Sequence, residues 1–447
     1  MCRSPWEEGP GSAMVVQDCV DGAAMEGIDK TTFKQIFREH WDEFQQAYPR
    51  YAGDEYDAVV QKMLACGDPE KMGFVQYRCC SCGESRRIAF TCKSCFCLSC
   101  AKVYADHWAE FIGRRLLPHV PYRHEVFTVP DFLRGYFYRR PALLSRLLQI
   151  GHDCLRDILN TCARTPLTIG TIVVLQTYGR SGRYNPHLHI LFTAGGIDPQ
   201  GRWKPVRSLP YEVLHRKWQY HLLTLLAQEG DSPKLQADLD HGWNDYPRGF
   251  VAYLQPGQVP PGGKGLAEYL AKYVTSPPIS VRRIERYDGQ KVSYWYQDHK
   301  THAIQHETVP VLLFLGRMVQ HILPPGFQRI RYYGLHANAC YARHREALAA
   351  LAQAAPPPAD PHSYRVLPRT PFAPRFEKAF GKDPLVCPRC GDTLQRELIY
   401  HPRYGILREY KLFEEIPNDP PATERTPPEG GPLDRPERMV QIPLPFL

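Results

Sequence analysis

The chain has 447 residues, of which 43% are hydrophobic and 23% are charged, a balance that fits a folded protein of two or three domains. No stretch has the roughly 20 apolar residues of a membrane-spanning helix, and the start of the chain is acidic where a signal peptide is basic. We therefore expect a cytoplasmic protein without a membrane partner. Lysine and arginine exceed aspartate and glutamate by 55 to 47, and the resulting charge of +8 is compatible with a polyanionic partner.

The first predicted element is an amphipathic helix over residues 31 to about 46. Residues 1–27 show no periodicity and are expected to be loose. In the helix, large apolar side chains recur at helical spacing and predict a face that packs against a core. These side chains are Phe33, Ile36, Phe37, Trp41 and Phe44.

Seven of the 15 cysteines lie between residues 77 and 100 and indicate a metal site, since disulfides are rare in a reducing cytosol. The segment contains two Cys-x2-Cys knuckles, Cys79 with Cys82 and Cys97 with Cys100. This spacing predicts one tetrahedral Zn²⁺, with a short zinc-ribbon hairpin in the 14 residues between the knuckles. Cys92 and Cys95 are alternative ligands for one knuckle, or ligands for a second ion. Four thiolates leave no open coordination position, so the zinc would be structural.

The segment after the knuckles alternates between helical and strand patterns. A helix is expected over residues 101–117, and residues 122–130 are expected to form the first strand of the next domain. Residues 131–161 have a helical pattern that Pro141 interrupts.

A predicted hairpin carries two histidines one residue apart. Residues 171–177 form one strand, residues 179–185 a turn, and the second strand begins at His187-Leu188-His189. Side chains at positions i and i+2 of a strand share a face, so the two imidazoles would lie side by side. This arrangement is half of a metal site, although such pairs also occur by chance.

Two tyrosines lie at helical spacing further along the chain. A helix is expected over residues 211–228, and residues 229–263 are rich in loop residues, with one strand candidate at 249–254. Residues 263–274 favour a helix that ends before two prolines, with Tyr269 and Tyr273 one turn apart on the same face. A phenol can form a phosphotyrosyl ester that retains the energy of a broken phosphodiester. Packed aromatic residues are the alternative, and Lys264 and Lys272 suit either phosphate neutralisation or an ordinary helix surface.

The segment after the tyrosines ends in a run of basic and aromatic residues. Strands are predicted at 291–296 and 304–309 and a helix at 312–322. Beyond them, guanidinium groups alternate with rings at Arg329, Arg331, Tyr332 and Tyr333, which suits stacking on single-stranded bases or a half-buried strand edge.

A proline-rich linker and a further knuckle end the chain. Cys387 and Cys390 follow the linker, and they are possible zinc ligands that would complete a site with other residues or with the spare N-terminal cysteines. The tail after them is rich in proline and is expected to be disordered.

The order of these motifs resembles the two-tyrosine rolling-circle transposases of bacterial insertion sequences, the insertion-sequence-ninety-one family. Those enzymes belong to the His-hydrophobe-His (HUH) single-strand endonucleases. The resemblance covers roughly residues 30–345 and rests on the knuckles, the histidine pair, the tyrosine segment 268–274 and the segment 326–334. Cys95 and Leu98 depart from the family pattern, which more often has Arg and Pro there.

The resemblance implies an α+β fold, in which an HUH-type antiparallel sheet with flanking helices follows a zinc-ribbon-like module. His187 and His189, on a central strand, would bind Mg²⁺ or Mn²⁺, and we nominate Gln176 as the third ligand. Tyr269 or Tyr273 would attack the DNA, leaving a 5′-phosphotyrosine and a free 3′-OH, and the other tyrosine would receive the second strand.

The resemblance also implies the partners. These are single-stranded DNA, the hairpin ends of a mobile element and target DNA, at the bacterial nucleoid. The predicted DNA contacts are Lys264, Lys272, Arg329 and Arg331.

The predicted domains are a loose N-terminus (1–27), a helical and zinc-binding DNA-binding module (28–117), the HUH catalytic domain (118–350), a proline-rich linker (351–380), the segment with the last knuckle (381–416) and a disordered tail (417–447). A plasmid relaxase or replication initiator of the same chemistry is an alternative function, and so is a zinc-ribbon nucleic-acid-binding protein without catalysis. A histidine-triad hydrolase is disfavoured, because Leu191 occupies the position where a third histidine is expected.

Overall fold

A computed structural model describes residues 30–113, 116–117, 120–254, 277–298, 301–354, 377 and 383–410. The predicted tyrosine motif, with Lys264, Tyr269, Lys272 and Tyr273, lies outside these residues. The expectations for the N-terminus and for the tail fall outside them as well, as does most of the predicted linker.

Six of the 11 described α-helices fall where the sequence predicts a helix. In chain order the described α-helices are α1 (Lys30–Ala47), α2 (Asp54–Ala65), α3 (Pro69–Met72), α4 (Ala101–Gly113), α5 (Asp131–Arg139), α6 (Ala142–Ala163), α7 (Tyr211–Ala227), α8 (Pro233–Asn244), α9 (Val311–Val319), α10 (Asn338–Arg343) and α11 (Arg345–Ala354). Two 3₁₀ helices span Pro49–Tyr51 and Val281–Arg283.

The strands of the described residues form four antiparallel sheets. They are β1 (Phe74–Cys79), β2 (Ser85–Ala89), β3 (Tyr122–Thr128), β4 (Gly170–Tyr178), β5 (Tyr184–Thr193), β6 (Gly195–Ile197), β7 (Trp203–Pro205), β8 (Ala252–Leu254), β9 (Ile284–Tyr287), β10 (Lys291–Gln297), β11 (Ile304–Pro310), β12 (Ile330–Gly334), β13 (Leu394–His401) and β14 (Gly405–Glu409). The α+β architecture is therefore confirmed.

The largest sheet has the strand order β12-β4-β5-β3-β8, which puts the histidine strand β5 in the centre. Strands β4 and β5 form the predicted hairpin. All nine residues of β4 are buried, because protein covers this sheet on both faces. One face packs on α5, α6, α7 and α8 through residues such as Leu188 and Ile190, and the other meets a second core that contains Val174 and Leu191.

The three-stranded sheet β11-β10-β9 belongs to a core that joins two distant parts of the chain. The apolar face of α1, including Phe33 and Phe37, packs with Phe314 of α9 and Tyr294 of β10. Residues of the predicted zinc module and of the predicted catalytic domain thus share one core. The domain boundaries themselves stay predictions.

The four-stranded sheet β14-β13-β1-β2 joins strands near the start of the described chain to its last two strands. Strand β1 lies between β2 and β13, and Val75 is opposite both Ile88 and Ile399. The zinc-ribbon hairpin predicted between Cys82 and Cys97 is wrong in position. The hairpin is formed by β1 and β2, with the first knuckle as its turn.

The sequence pattern does not predict α2, α3, α8, α10 or α11. Helix α8 lies within residues 229–263, where loops and one strand are expected. Helix α8 begins there at Pro233, and the hydroxyl of Ser232 caps it by accepting from the backbone N–H of Leu235. Serine followed by proline is a common start of a helix, so the sequence carries a local signal for α8. Within the described residues, no helix combines the length and the hydrophobicity needed to cross a membrane.

Candidate functional site

The predicted metal ligands meet on one face of the largest sheet. Gln176 of β4 lies directly opposite His187 of β5, and His189 lies opposite Val174 on β4 and Val126 on β3. Because opposed residues of an antiparallel pair share a face, all three polar side chains project to the same side.

The hydrogen bonds of this cluster fix the orientation of each side chain. His189 Nε2 lies 3.2 Å from Oε1 of Gln176, and the imidazole centroids of His187 and His189 are 5.0 Å apart. His187 Nδ1 lies 2.7 Å from the backbone oxygen of Asn185. A carbonyl oxygen only accepts, so Nδ1 of His187 carries the proton and Nε2 carries the lone pair that a metal ion requires.

Burial keeps both imidazoles neutral. His187 is 9% exposed and His189 is 5% exposed. Burial lowers the pKa of His187 to about 4, despite the opposing bond to Asn185, and it lowers the pKa of His189 well below its usual value. Neutral imidazole is the form that binds metals, so the pair is prepared for ligation near neutral pH.

The donor set fits a divalent ion. Two imidazoles and an amide oxygen are a mixed nitrogen and oxygen set, which suits Mn²⁺ better than Mg²⁺ because magnesium strongly prefers oxygen. The roles of His187, His189 and Gln176 as ligands stay predictions.

A third histidine, absent from the sequence prediction, adjoins the pair. His124 of β3 lies opposite Leu191 and is 2% exposed. Its Nε2 is 3.2 Å from Nδ1 of His189. In the sequence, His124 has no partner at metal-ligand spacing, so only the pairing of β3 with β5 reveals it.

The two predicted DNA-contacting arginines differ in their placement. Arg331 on the edge strand β12 lies opposite Val173, which belongs to the helix-covered core, so Arg331 projects to the face away from the histidines. Arg329 precedes this strand and is near His321, whose pKa its charge helps to lower. The half-buried strand edge that we considered for this segment is therefore present, and DNA contact by either arginine stays a prediction.

The cysteines form two groups of four. Cys66, Cys92, Cys97 and Cys100 form the first group and are all buried, whereas Cys79, Cys82, Cys387 and Cys390 form the second. Sulfur atoms are 3.5 Å apart between Cys66 and Cys100 and 3.6 Å apart between Cys82 and Cys387. Four sulfurs at about 2.3 Å from one tetrahedral zinc would lie about 3.8 Å apart, so both groups have nearly the spacing of a zinc site.

This grouping corrects the predicted ligand set. The knuckles Cys79–Cys82 and Cys97–Cys100 do not share one site but belong to different groups. Cys92 completes the first group with Cys66, and the final knuckle completes the second. Cys95 belongs to neither group. Cys66 was missed because no second cysteine follows it at knuckle spacing.

Two family models match this chain. The family model described as "Transposase zinc-binding domain" matches residues 36–129, and the model described as "Putative transposase" matches residues 170–344. The first range contains the whole first cysteine group, and the second contains Gln176, His187 and His189.

Two curated proteins are similar over most of their length. The chain is 34% identical to the "Transposase for insertion sequence element IS801" of Pseudomonas savastanoi pv. phaseolicola over 346 residues, which cover 74% of this chain and 81% of that protein. It is 31% identical to "Putative transposase y4qJ" of Sinorhizobium fredii (strain NBRC 101917 / NGR234) over 338 residues, 70% of this chain and 81% of that protein. No solved structure matches the chain significantly.

Proposed function

The chain belongs to the insertion-sequence-ninety-one (IS91) family of transposases, and we propose that it cleaves and rejoins single-stranded DNA at the ends of an insertion sequence by rolling-circle chemistry. The observation that supports this chemistry is the meeting of His187, His189 and Gln176 on one face of the central strand. The hairpin ends of the element and the target DNA are the proposed partners.

The proposed nucleophile is Tyr269 or Tyr273. The phenol releases its proton to solvent, and its oxygen attacks the scissile phosphorus as the bond from phosphorus to the 3′ oxygen breaks. The 5′ end remains on the tyrosine, and the 3′ oxygen takes up a proton and leaves as a hydroxyl. The second tyrosine accepts the other strand during transfer, and a 3′-OH then reverses the reaction to rejoin DNA. Lys264 and Lys272 are proposed to neutralise phosphate charge.

The proposed ion is Mn²⁺ or Mg²⁺, held by His187, His189 and Gln176. When bound, it supplies Lewis-acid stabilisation of charge on the scissile phosphate. The chain itself contributes orientation, because the Asn185 carbonyl holds the ring of His187 and the sheet fixes the separation of the ligands. Each cysteine group is proposed to bind one structural zinc ion.

The proposal is tested with labelled single strands that tile both DNA flanks of the gene for this chain. We expect wild-type protein with Mn²⁺ to form a covalent adduct that survives denaturing electrophoresis, and the Tyr269→Phe/Tyr273→Phe double variant to form none. Exposed Tyr220→Phe is the matched control and should retain the adduct. An adduct of normal yield in the double variant would show that the nucleophile is wrong.

The same assay tests the metal and the alternatives. Chelation followed by Mn²⁺ addition should abolish and then restore the adduct, with the zinc content measured to confirm that the cysteine groups stay filled. Undiminished cleavage in chelator would exclude the metal role. Cleavage of plasmid-origin strands in place of the flanks would favour a replication initiator, and absence of any cleavage would favour a non-catalytic DNA-binding protein.

A further inference from the structure

We infer that His124 is a positioning residue for the metal site, and that its imidazole holds His189 with Nε2 directed toward Gln176. The inference rests on the proposed function, because it assigns a role toward the ion proposed above. His124 lies on β3, whereas the proposed ligands lie on β4 and β5. Three adjacent strands would therefore contribute to the site.

The contact between the two rings is an in-plane hydrogen bond. Their planes differ by only 1°, and their centroids are 5.4 Å apart, while His124 Nε2 and His189 Nδ1 are 3.2 Å apart. The difference, 5.4 minus 3.2 or 2.2 Å, is close to the width of one imidazole ring. The two nitrogens therefore lie on the line between the centroids, and the rings meet edge to edge in one plane.

The side of the contact separates His124 from the ligands. It approaches His189 at Nδ1, whereas Gln176 approaches the same ring at Nε2. A ring held at Nδ1 leaves its metal-binding atom pointing at the proposed ligand. His124 thus hydrogen-bonds to the ring nitrogen of His189 that would not bind the ion, and it is not itself a ligand. Metal-binding histidines commonly have such a partner.

An imidazole at position 124 can hydrogen-bond to His189 both when the metal site is empty and when an ion is bound. Without an ion, His189 Nε2–H donates to the Gln176 oxygen, so Nδ1 accepts and His124 Nε2–H donates. With an ion on Nε2, the proton of His189 resides on Nδ1, and His124 Nε2 must accept it. A neutral imidazole does either by changing its tautomer, and a glutamine amide offers both groups at a similar position.

The test measures Mn²⁺ binding without DNA, by electron paramagnetic resonance of the free ion, with zinc content and thermal unfolding recorded for each variant. His124→Phe keeps a ring of similar shape and removes the hydrogen bond. We expect its Mn²⁺ dissociation constant to rise about 10–100-fold. His124→Gln should recover most of the affinity, because its amide oxygen can accept.

The matched control is His336→Phe. His336 is also buried, and its hydrogen bond through Nε2, at 3.2 Å, is to the phenol of Tyr122 and not to a proposed ligand. Its affinity for Mn²⁺ should stay within twofold of wild type.

Each outcome bears on a separate claim. Wild-type affinity in His124→Phe would overturn the inference while leaving the proposed function intact. Equal loss in folded His124→Phe and His124→Gln, without rescue, would overturn it as well, since packing alone would then account for the loss. Absence of Mn²⁺ binding by wild-type protein would overturn the metal role and this inference together.

Discussion

Cys82 and Cys387 lie 305 positions apart in the chain, yet their sulfur atoms are 3.6 Å apart. The contact joins the first knuckle to the last one, and the same two segments pair as strands β1 and β13. A single metal ion would therefore link the last two strands of the described chain to the hairpin of β1 and β2.

The final knuckle should account for one of two bound zinc ions. We expect wild-type protein to contain two zinc ions and Cys387→Ser/Cys390→Ser to contain one, because two thiolates cannot complete a tetrahedral site. Elemental analysis of dialysed protein measures the content. Cys95→Ser is the control and should retain both ions, since Cys95 lies outside both groups. A loss of zinc in the control, or none in the double variant, would contradict the ligand assignment.

The two zinc sites should differ in their effect on stability. Cys92 is 2% exposed and lies in the core shared by α1, α9 and β10, whereas the second group borders a small core of its own. We therefore expect Cys92→Ser to lower the melting temperature of the whole protein and Cys387→Ser mainly to unfold the four-stranded sheet. Calorimetry together with limited proteolysis distinguishes global from local unfolding. Equal global losses would count against the separation of the cores.

Replacement of Gln176 should weaken metal binding more than it destabilises the fold. We expect Gln176→Ala to raise the Mn²⁺ concentration needed for half-maximal cleavage by about 10–100-fold, as for loss of a supporting metal contact. Gln176→Glu, which keeps an oxygen donor, should retain much of the activity. Gln149→Ala on the surface of α6 is the control, since Gln149 bonds only locally to Asp153 among the described residues. An unchanged Mn²⁺ requirement in Gln176→Ala would remove Gln176 from the site.

Glu125 should make the protein less stable as the pH rises. It is fully buried on β3, neither carboxylate oxygen has a hydrogen-bond partner in the described structure, and burial raises its pKa well above the usual value. The unfolded carboxyl loses its proton near pH 4.3, whereas the folded one keeps it to higher pH. The free energy of unfolding should therefore fall by up to about 1.4 kcal/mol per pH unit between these two pKa values.

Glu125→Gln isolates this contribution, because the amide does not ionise. Urea unfolding at several pH values should show the variant gaining stability relative to wild type as the pH increases above about 4.3. Glu212→Gln, at a side chain that is 84% exposed, should track wild type. A constant difference between Glu125→Gln and wild type would mean that Glu125 ionises normally.

Two helical glycines should respond oppositely to alanine. A Cβ at Gly151 of α6 would lie 2.5 Å from Leu188 Cδ1 and 3.0 Å from Ile190 Cδ1, on the reverse side of the histidine strand. Overpacking costs about 1–3 kcal/mol, and the better helix propensity of alanine offsets roughly 1 kcal/mol of it. Gly151→Ala should therefore lower the free energy of unfolding by up to about 2 kcal/mol.

At Gly135 of α5, a Cβ would meet only the end of the Arg139 side chain, at 3.3 Å, which can move aside. Gly135→Ala should therefore stabilise the protein by about 0.5–1 kcal/mol. Chemical denaturation measures both variants. Stabilisation by both would show that the gap between α6 and β5 is wider than the structure indicates.

Local patterns predicted α1, α4 to α7, α9 and the histidine hairpin, but not the sheet that contains β1, β2, β13 and β14. The aromatic spacing of α1 and the histidine hairpin were readable because both depend on neighbours in the sequence. The partners of each cysteine were not, since knuckles at 79 and 97 look alike and only the strand pairing of β1 with β13 separates them. The role of His124 is not predictable from local sequence either, because its partner His189 is on a different strand, 65 positions away.

The pairing of β1 with β13 also bears on how the protein is made. When the ribosome has completed residue 354, it has synthesised His187, His189 and the whole first cysteine group. It has not yet made β13, β14, Cys387 or Cys390. Strands β1 and β2 must therefore wait until β13, β14 and the final knuckle have been translated before their sheet and its cysteine group can close. A frameshift or stop codon late in the gene would leave the earliest sheet of the chain permanently incomplete.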